Sequence, residues 1–190
     1  KATIHLDLGA GSLHRRGYRV DSVEAPMQET VAAAVIRYSG WNGERPLHDP
    51  MCGSGTLLAE ALMQVCRIPA GYLRASFGFE RLPDFDDRTW STVRDAFDGR
   101  IRPIPESGTI IGTDVDPDAI FASKSNLSRL PHGHEIALQQ KDVFSLPGIE
   151  NQTIVTNPPY GLRIGKRDRI ESFYQNLGDF LKQKCAGSTC

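Results

Sequence analysis

The sequence predicts an α/β fold in which helices cover a largely parallel sheet. Short apolar runs alternate with longer amphipathic stretches, an order typical of strands joined by right-handed crossover helices. The 190 residues are enough to bury one core. No internal repeat, signal peptide or apolar run of membrane-spanning length interrupts the pattern. We therefore expect one main α/β domain with a small N-terminal addition.

The N-terminal addition is expected to be a β-hairpin. Residues 3–8 alternate moderately between polar and apolar side chains, as one strand would. Residues 9–12 suit a turn, and residues 15–20 would form the second strand of the hairpin. We therefore assign residues 1–24 to a hairpin and linker segment, and residues 25–190 to the main domain.

The main domain is expected to hold four strands that alternate with helices. The strands end at Asp49, Asp114, Asp142 and Asn157. Between the first two strands, residues 68–107 are rich in Pro, Asp and Arg and predict an insertion with one helix at 89–99. The other helices are expected at residues 27–39, 56–67, 117–130 and 169–184.

A glycine turn follows the first strand, at residues 49–55 (Asp-Pro-Met-Cys-Gly-Ser-Gly), and an amphipathic helix follows the turn. Gly53 and Gly55 permit positive φ and let a ligand approach the backbone, beside the free N–H groups of the helix start. Leu58 stands where a dinucleotide fingerprint has its third glycine, and no Gly-Lys-Ser/Thr follows. The turn therefore suits a ligand without a pyrophosphate; the alternative is a purely structural strand-to-helix turn.

Acidic residues close the second and third strands. Asp114 stands where nucleoside-binding sheets hold ribose hydroxyls, although it follows Gly55 by about sixty positions instead of the usual interval of about twenty. Asp116, before a proline, is expected to cap the next helix. Asp142 could accept a hydrogen bond from an adenine amine or could be a solvated loop acid.

The fourth strand is followed by Asn157-Pro158-Pro159-Tyr160, where the two prolines force a turn at the edge that binds ligands in open α/β sheets. The turn combines an amide oxygen, backbone carbonyls and an aromatic ring. Such a group suits a planar amine, because the oxygens accept its N–H bonds and the ring stacks on its face. An ordinary Pro-Pro loop is the alternative.

In order, these four elements resemble the motifs of class I S-adenosylmethionine-dependent methyltransferases. The stretches at residues 13–19 (Leu-His-Arg-Arg-Gly-Tyr-Arg), 25–30 and 157–163 are similar to those of THUMP-linked guanine-N2 RNA methyltransferases, which include bacterial enzymes acting on 23S ribosomal RNA. The resemblance covers nearly the whole chain. It implies a Rossmann-like methyltransferase sheet, S-adenosylmethionine as cofactor, RNA as substrate and a THUMP domain upstream.

The same resemblance implies roles for individual residues. Cofactor-binding residues would be Pro26, Asp49, Pro50, Cys52, Gly53, Gly55, Asp114 and Asp142. The catalytic residues would be Asn157, Pro158 and Tyr160, which hold and stack the acceptor base. Contacts to RNA would come from Arg15, Arg16, Arg19 and Arg163.

Charge and cysteine usage add two expectations. The net charge of −1 is low for a protein that binds nucleic acid, so the main RNA grip is expected outside these residues. The local arginine clusters could contact phosphate or could be solvated faces. The four cysteines show no zinc spacing, which favours free thiols in the cytoplasm and no metal site.

The chain stops at residues 186–190, in what looks like the approach to a fifth strand. Because the class I fold has seven strands, we expect a domain that lacks its last strands and leaves a sheet edge unpaired.

The nature of the acceptor stays open. A tRNA guanine, an adenine N6 or a protein glutamine amide presents the same planar amine, and a non-catalytic nucleotide- or RNA-binding module could keep the fold. A nicotinamide dehydrogenase is disfavoured by the missing third glycine.

Overall fold

The computed structural model describes residues 2–21, 27–160 and 167–190, without the side chains of 167–169. The strands in this part of the chain are β1 (Leu47–Asp49), β2 (Ile110–Asp114), β3 (Ala137–Gln140) and β4 (Thr153–Ile154). The α-helices are α1 (Glu29–Tyr38), α2 (Thr56–Val65), α3 (Asp87–Asp98), α4 (Pro117–Leu127) and α5 (Arg167–Lys184). Each expected strand and helix of the main domain is present, with ends that differ by a few residues.

The four strands form one parallel sheet in the order β3-β2-β1-β4. Leu47 of β1 pairs with Ile110 on one side and with Thr153 on the other. The chain therefore builds outward from β1 to β3 and then returns to the opposite side of β1 for β4. The order reverses between β1 and β4, and such a switch point opens a crevice at the carboxyl ends of the strands. This topology confirms the predicted parallel α/β sheet.

Helix α2 is the centre of the larger core. Every residue of α2 except Gln64 is buried, and the helix packs between α1 and β2. Helix α4 packs on β2 and β3. A second cluster joins Ile154 of β4 to Leu177 and Phe180 of α5. The two clusters pack helices against the strands β1, β2 and β4 and so help to fix the carboxyl ends of these strands.

The expected N-terminal hairpin is wrong, because residues 2–20 contain no strand. The alternating apolar side chains Ile4 and Leu6 are 96% and 70% exposed. The backbone of this segment bonds to the insertion instead, since the N–H of Phe79 donates to the carbonyl of Leu8 at 3.2 Å. The alternating pattern of residues 3–8 did not produce a strand, because no neighbouring strand lies beside this segment in the described part of the chain. Further along, Tyr18 is buried in the main core.

The insertion at 68–107 carries α3 and a group of stacked rings. Phe77, Phe79 and Trp90 have ring centroids 4.9–5.4 Å apart. None of the residues of α3 is buried, so this helix lies outside the main core. The two ends of the insertion do reach that core, because Ile68 is buried in it and Ile101 and Ile104 pack against it.

The last residues lie beside β4. The N–H of Ile154 donates to the carbonyl of Thr189 at 2.7 Å, and Thr189 donates to Gln152 at 3.0 Å. This parallel bridge confirms the expected approach to a fifth strand position. Among the described helices, none combines the length and apolarity that a membrane span requires.

Candidate active site

A cavity of about 470 Å³ opens at the carboxyl ends of the strands, at the switch point of the sheet. It brings the glycine turn after β1, the acid at the end of β2 and the turn after β4 to one place. Its walls are formed by Met27, Asp49, Pro50, Met51, Cys52, Gly53, Ser54, Thr56, Leu57, Asp114, Val115, Asp116, Ala119, Asp142, Val143, Asn157, Pro159 and Phe173.

The glycine turn has the backbone that its sequence predicts. Gly53 and Gly55 have φ of 54° and 79°, in the left-handed region that favours glycine. A Cβ at Gly55 would lie 2.9 Å from the hydroxyl oxygen of Ser123, so a side chain would also clash there. On α4, Ser123 donates to the carbonyl of Gly53 at 2.7 Å and holds the turn from below.

Asp49 is the most deeply buried acid of the cavity, with 1% of its surface exposed. The pKa of this carboxyl is raised to about 7, mainly by burial and to a smaller extent by the nearby Asp114 carboxylate, while the Thr156 hydroxyl and the N–H of Met51 oppose the shift. A carboxyl group with this pKa is ready to ionise beside a cationic ligand.

The other three acids of the cavity also accept hydrogen bonds from nearby backbone N–H groups. Asp114 accepts the N–H of Gly53 on Oδ2 at 2.9 Å and the N–H of Asp116 on Oδ1 at 3.0 Å. Asp142 accepts the N–H of Phe144 at 3.0 Å. A carboxylate has about four lone-pair sites, so both acids retain capacity for a ligand. As expected, Asp116 caps α4 by accepting the N–H of Asp118, and it also lines the cavity.

The turn after β4 reaches the cavity through Asn157 and Pro159. Pro158 and Tyr160 are not among the lining residues, and the Tyr160 ring is 56% exposed at the rim of this turn. The hydroxyl of Tyr174 on α5 donates to the carbonyl of Pro159 at 3.3 Å. Helix α5 therefore supports the turn from outside.

The arginines of the N-terminal segment do not share one surface. Arg15 is exposed. The Nε of Arg16 lies 3.4 Å from Oε1 of Glu60, and Arg19 donates to the carbonyl of Met27 at 2.7 Å. The guanidinium groups of Arg16 and Arg19 are thus engaged inside the protein. Pro26 and Arg163 lie outside the described residues.

Two further groups beside the cavity are buried and inert. Burial raises the pKa of the Cys52 thiol well above its ordinary value, so the thiol stays protonated. Burial lowers the pKa of His48 to about 4, and its Nε2 lies 3.2 Å from the hydroxyl oxygen of Thr113. His48 therefore acts in packing, whereas Cys52 lines the cavity as a neutral thiol and is not a nucleophile.

Several lining residues were not predicted. Thr56 adjoins Gly55 in sequence, and Val115 and Val143 follow Asp114 and Asp142, so extending each motif by one position would have found them. Phe173 carried no such signal, because only the packing of α5 brings it to the cavity.

The sequence was compared with known protein families. Residues 16–190 match the UPF0020 family, described as an RMKL-like methyltransferase domain. The chain belongs to this family. Membership confirms the class I methyltransferase resemblance, and S-adenosylmethionine is the cofactor of such a domain.

Curated relatives and solved structures agree with this membership. The chain is 42% and 38% identical to ribosomal RNA large subunit methyltransferases K/L of Psychromonas ingrahamii and Vibrio parahaemolyticus, over 98% of its length. The crystal structure of SMU.472 in complex with S-adenosylhomocysteine has a TM-score of 0.82 at 30% identity over 94% of the chain. A Listeria monocytogenes structure, described as a predicted N6-adenine-specific DNA methylase, has a TM-score of 0.79 at 32% identity over 90%.

The RMKL-like domain described here is shorter than these relatives. It spans 26% and 27% of the two K/L enzymes, and 47% and 45% of the two solved chains.

The residues of this methyltransferase domain fit S-adenosylmethionine. The cavity volume of about 470 Å³ lies in the range of small-ligand sites. The buried Asp49 suits a cationic amino group, and Gly53 presents no side chain to a ligand in the cavity. Gly55, expected to bind the cofactor, does not line the cavity and instead packs closely against Ser123. This donor set agrees with the cofactor that the family uses.

Proposed function

We propose that this chain is a catalytic domain that transfers a methyl group from S-adenosylmethionine to the N2 amine of a guanine in RNA, with large-subunit (23S) ribosomal RNA as the substrate. One observation carries the proposal. The glycine turn and Asp114 on one side, and Asn157 and Pro159 on the other, line the same cavity. A methyl donor and a planar amine would therefore meet at the switch point of the sheet.

The cofactor side of the cavity would be formed by the first three strand ends. Ionised Asp49 would hold the amino group, Asp114 the ribose hydroxyls and Asp142 the adenine amine. Val115 and Val143 would supply apolar surface on either side of the adenine. When bound, the cofactor supplies an electrophilic methyl group with its own leaving group, so the protein mainly positions the reactants.

The acceptor side would be formed by the turn after β4. The exocyclic nitrogen of guanine is conjugated with its ring and is a poor nucleophile. If the Asn157 amide oxygen and the Pro158 carbonyl accept its two N–H groups, the lone pair can turn toward the cavity. The exposed Tyr160 ring would stack on a base that has left its helix, a step that costs a few kcal/mol. The Tyr174 hydroxyl would keep the turn in place through Pro159.

RNA as the substrate is supported by the relatives and by the surface. The K/L relatives are named as methyltransferases of the large ribosomal subunit RNA. Exposed Arg15 and the predicted contact Arg163 would bind phosphate near the cavity. The low net charge is consistent with an RNA grip in a further domain such as THUMP. A ribosomal RNA substrate would place the activity in the cytoplasm.

Adenine N6 is the second candidate acceptor. The Listeria structure described as a DNA methylase favours it, because adenine presents the same planar amine to an Asn-Pro-Pro-Tyr turn. A tRNA guanine or a protein glutamine amide would suit the turn for the same reason.

The deciding experiment offers all these acceptors to the purified protein. Tritiated S-adenosylmethionine would be incubated with 23S ribosomal RNA, tRNA, duplex DNA and a glutamine-containing protein, followed by nucleoside mass spectrometry. We expect N2-methylguanosine in the ribosomal RNA and no label with Asn157→Ala. N6-methyladenosine would favour the second candidate. S-adenosylhomocysteine binding without label in any acceptor would instead indicate a non-catalytic binding module.

A further inference from the structure

Arg19 joins three separate parts of the chain beside the cavity. Its Nη2 donates to the carbonyl of Met27 at 2.7 Å and to the hydroxyl oxygen of Thr56 at 2.9 Å. Its Nη1 lies 3.8 Å from Oε1 of Glu29, in the first turn of α1. The side chains of Arg19 and Glu29 are only 19% and 7% exposed, so this contact lies inside the protein.

Two of these partners line the cavity. Met27 forms part of its wall, and Thr56 is the first residue of α2, directly after Gly55 of the glycine turn. The guanidinium group of Arg19 therefore holds Met27, in the wall of the cavity, at a fixed position relative to Thr56 at the start of α2. The donors of Arg19 hold residues that a ligand in the cavity would touch.

The same contacts oppose a role for Arg19 in binding RNA. A phosphate would have to draw the guanidinium away from the buried Glu29 carboxylate and from two hydrogen-bond acceptors. Breaking a buried charge pair is costly, because it leaves the carboxylate without its partner. Among the four arginines assigned to RNA from the sequence, Arg15 is the exposed one in the described part of the chain.

Arg16 offers a matched control for Arg19, because it lies three positions earlier in the same segment and also contacts a buried glutamate. It contacts Glu60 at 3.4 Å, and Glu60 also accepts the hydroxyl of the buried Tyr18 at 3.0 Å. This second network also ties the N-terminal segment to α2, but Glu60 does not line the cavity. Loss of Arg16 would therefore loosen the same segment without releasing the cavity wall.

We propose that Arg19 is a positioning residue for the cofactor: it holds Met27 and the start of α2 in the arrangement that binds S-adenosylmethionine, and it does not contact RNA. The inference rests on the proposed function only in taking the cavity as the cofactor site. It makes the segment around residue 19 part of that site rather than a linker before it.

The test compares Arg19→Met, Arg19→Lys, Arg16→Met and Asp114→Ala with the wild type. S-adenosylhomocysteine affinity is measured by calorimetry, the melting temperature of the cofactor-free protein by scanning calorimetry, and RNA affinity by filter binding without cofactor. We expect Arg19→Met to weaken S-adenosylhomocysteine binding about tenfold or more, because the ligand would then have to order Met27 and the start of α2 itself; tenfold corresponds to about 1.4 kcal/mol. RNA affinity and the transfer rate at saturating cofactor should stay within about twofold, well inside the tenfold that 1.4 kcal/mol represents.

The control variants separate this role from a merely structural one. Arg16→Met should lower the melting temperature about as much as Arg19→Met, yet leave S-adenosylhomocysteine affinity within about threefold, less than 1 kcal/mol. Arg19→Lys should weaken binding in the same direction, because one ammonium cannot span acceptors as a planar fork does, and it serves if the methionine variant does not fold.

Four results would overturn the inference. RNA affinity that falls in Arg19→Met with unchanged S-adenosylhomocysteine binding would return Arg19 to the RNA surface. Cofactor affinity that falls equally in Arg16→Met and Arg19→Met would show general destabilisation. If Asp114→Ala leaves S-adenosylhomocysteine binding unchanged, the cavity is not the cofactor site and both proposals fail; if that variant loses binding and the Arg19 variants keep it, only the role of Arg19 fails.

Discussion

The backbone N–H of Gly53 donates to Oδ2 of Asp114 at 2.9 Å. This bond connects the turn after β1 to the end of β2, two points that are 61 positions apart in the chain. Asp114 therefore has a structural partner in addition to any ribose hydroxyl. The long insertion between them does not disturb the pair. It begins after the C-terminus of α2 and ends before the N-terminus of β2, whereas Gly53 precedes α2 and Asp114 is the last residue of β2.

Replacing Asp114 tests both roles of that carboxylate. We expect Asp114→Ala to weaken S-adenosylhomocysteine binding by about 1.5–3 kcal/mol, the usual effect of losing hydrogen bonds to a charged group. Isothermal titration calorimetry measures the change. Asp95→Ala, at an exposed site on α3, is the control and should leave affinity unchanged. Unaltered binding in Asp114→Ala would contradict the assignment of the cavity.

Replacing Asn157 should separate catalysis from cofactor binding. Asn157→Ala removes the side-chain acceptor for the amine, so we expect the rate of methyl transfer to fall by about 10²–10³, as for other single groups that act in the transition state. S-adenosylhomocysteine affinity should remain near that of the wild type. Tritium transfer at saturating cofactor and calorimetry give the two quantities. An equal loss of cofactor affinity in the Asn157 and Asp114 variants would show that this division of roles is wrong.

The pKa of Asp49 predicts a pH dependence of cofactor binding. This pKa is about 7, above the ordinary value of 3.8, because the carboxyl is buried and lies near Asp114. Only the ionised form attracts a cationic amino group, so S-adenosylhomocysteine should bind more tightly as the pH rises through about 7, and each unit below it should weaken binding by up to about tenfold. Calorimetry between pH 5.5 and 8.5 follows the trend. Asp49→Asn should bind weakly at every pH, and a wild-type affinity that does not change with pH would refute the ionised role.

Adjacent His48 and Asp49 should have opposite effects on stability. Burial lowers the pKa of His48 from 6.5 to about 4, so its contribution is present above pH 6.5 and is lost as the pH falls toward 4. The raised pKa of Asp49 contributes below about pH 4 and is lost as the pH rises toward 7. The two slopes should largely cancel in the cofactor-free wild type.

Single variants should expose each slope in turn. In urea titrations between pH 4 and 7, the free energy of unfolding should rise with pH for Asp49→Asn and fall with pH for His48→Gln. If both variants follow the wild-type profile, these two groups do not set the pH dependence.

The hydroxyl of Tyr174 is expected to support the acceptor turn. Tyr174→Phe removes its hydrogen bond to the Pro159 carbonyl and keeps the ring that packs edge-on against Phe173. The bond is exposed, so its contribution should lie toward the lower end of the usual range of about 0.5–1.5 kcal/mol, and we expect the transfer rate to fall by about two- to fivefold. Cofactor affinity and melting temperature serve as controls and should change little. A rate equal to that of the wild type would remove Tyr174 from the support of the turn.

Most of the sheet and half of the site could be predicted from local sequence. Short motifs of consecutive residues were enough to predict the glycine turn at 53–55, the acid at 114 and the Asn-Pro-Pro-Tyr turn. Each of these depends on a local backbone conformation or on the end of one strand. Parallel strands place their carboxyl ends at one edge, so the common cavity followed from the order of these motifs.

The N-terminal segment shows where local pattern fails. Alternation at residues 3–8 is a property of one strand, but a hairpin also needs a partner, and the neighbour of this segment is the insertion around Phe79. In the same way, the arginines at 15, 16 and 19 look equivalent in sequence. Their directions depend on which side chains of α1 and α2 lie beside them.

Local sequence was enough to predict the parallel α/β sheet, the glycine turn and the chemistry offered at the end of each strand, because these depend on neighbours along the chain. Only the folded molecule showed that Arg19 contacts Met27, Thr56 and Glu29 and that Phe173 reaches the cavity. These contacts are set by how the helices pack on the sheet and on one another rather than by any local preference.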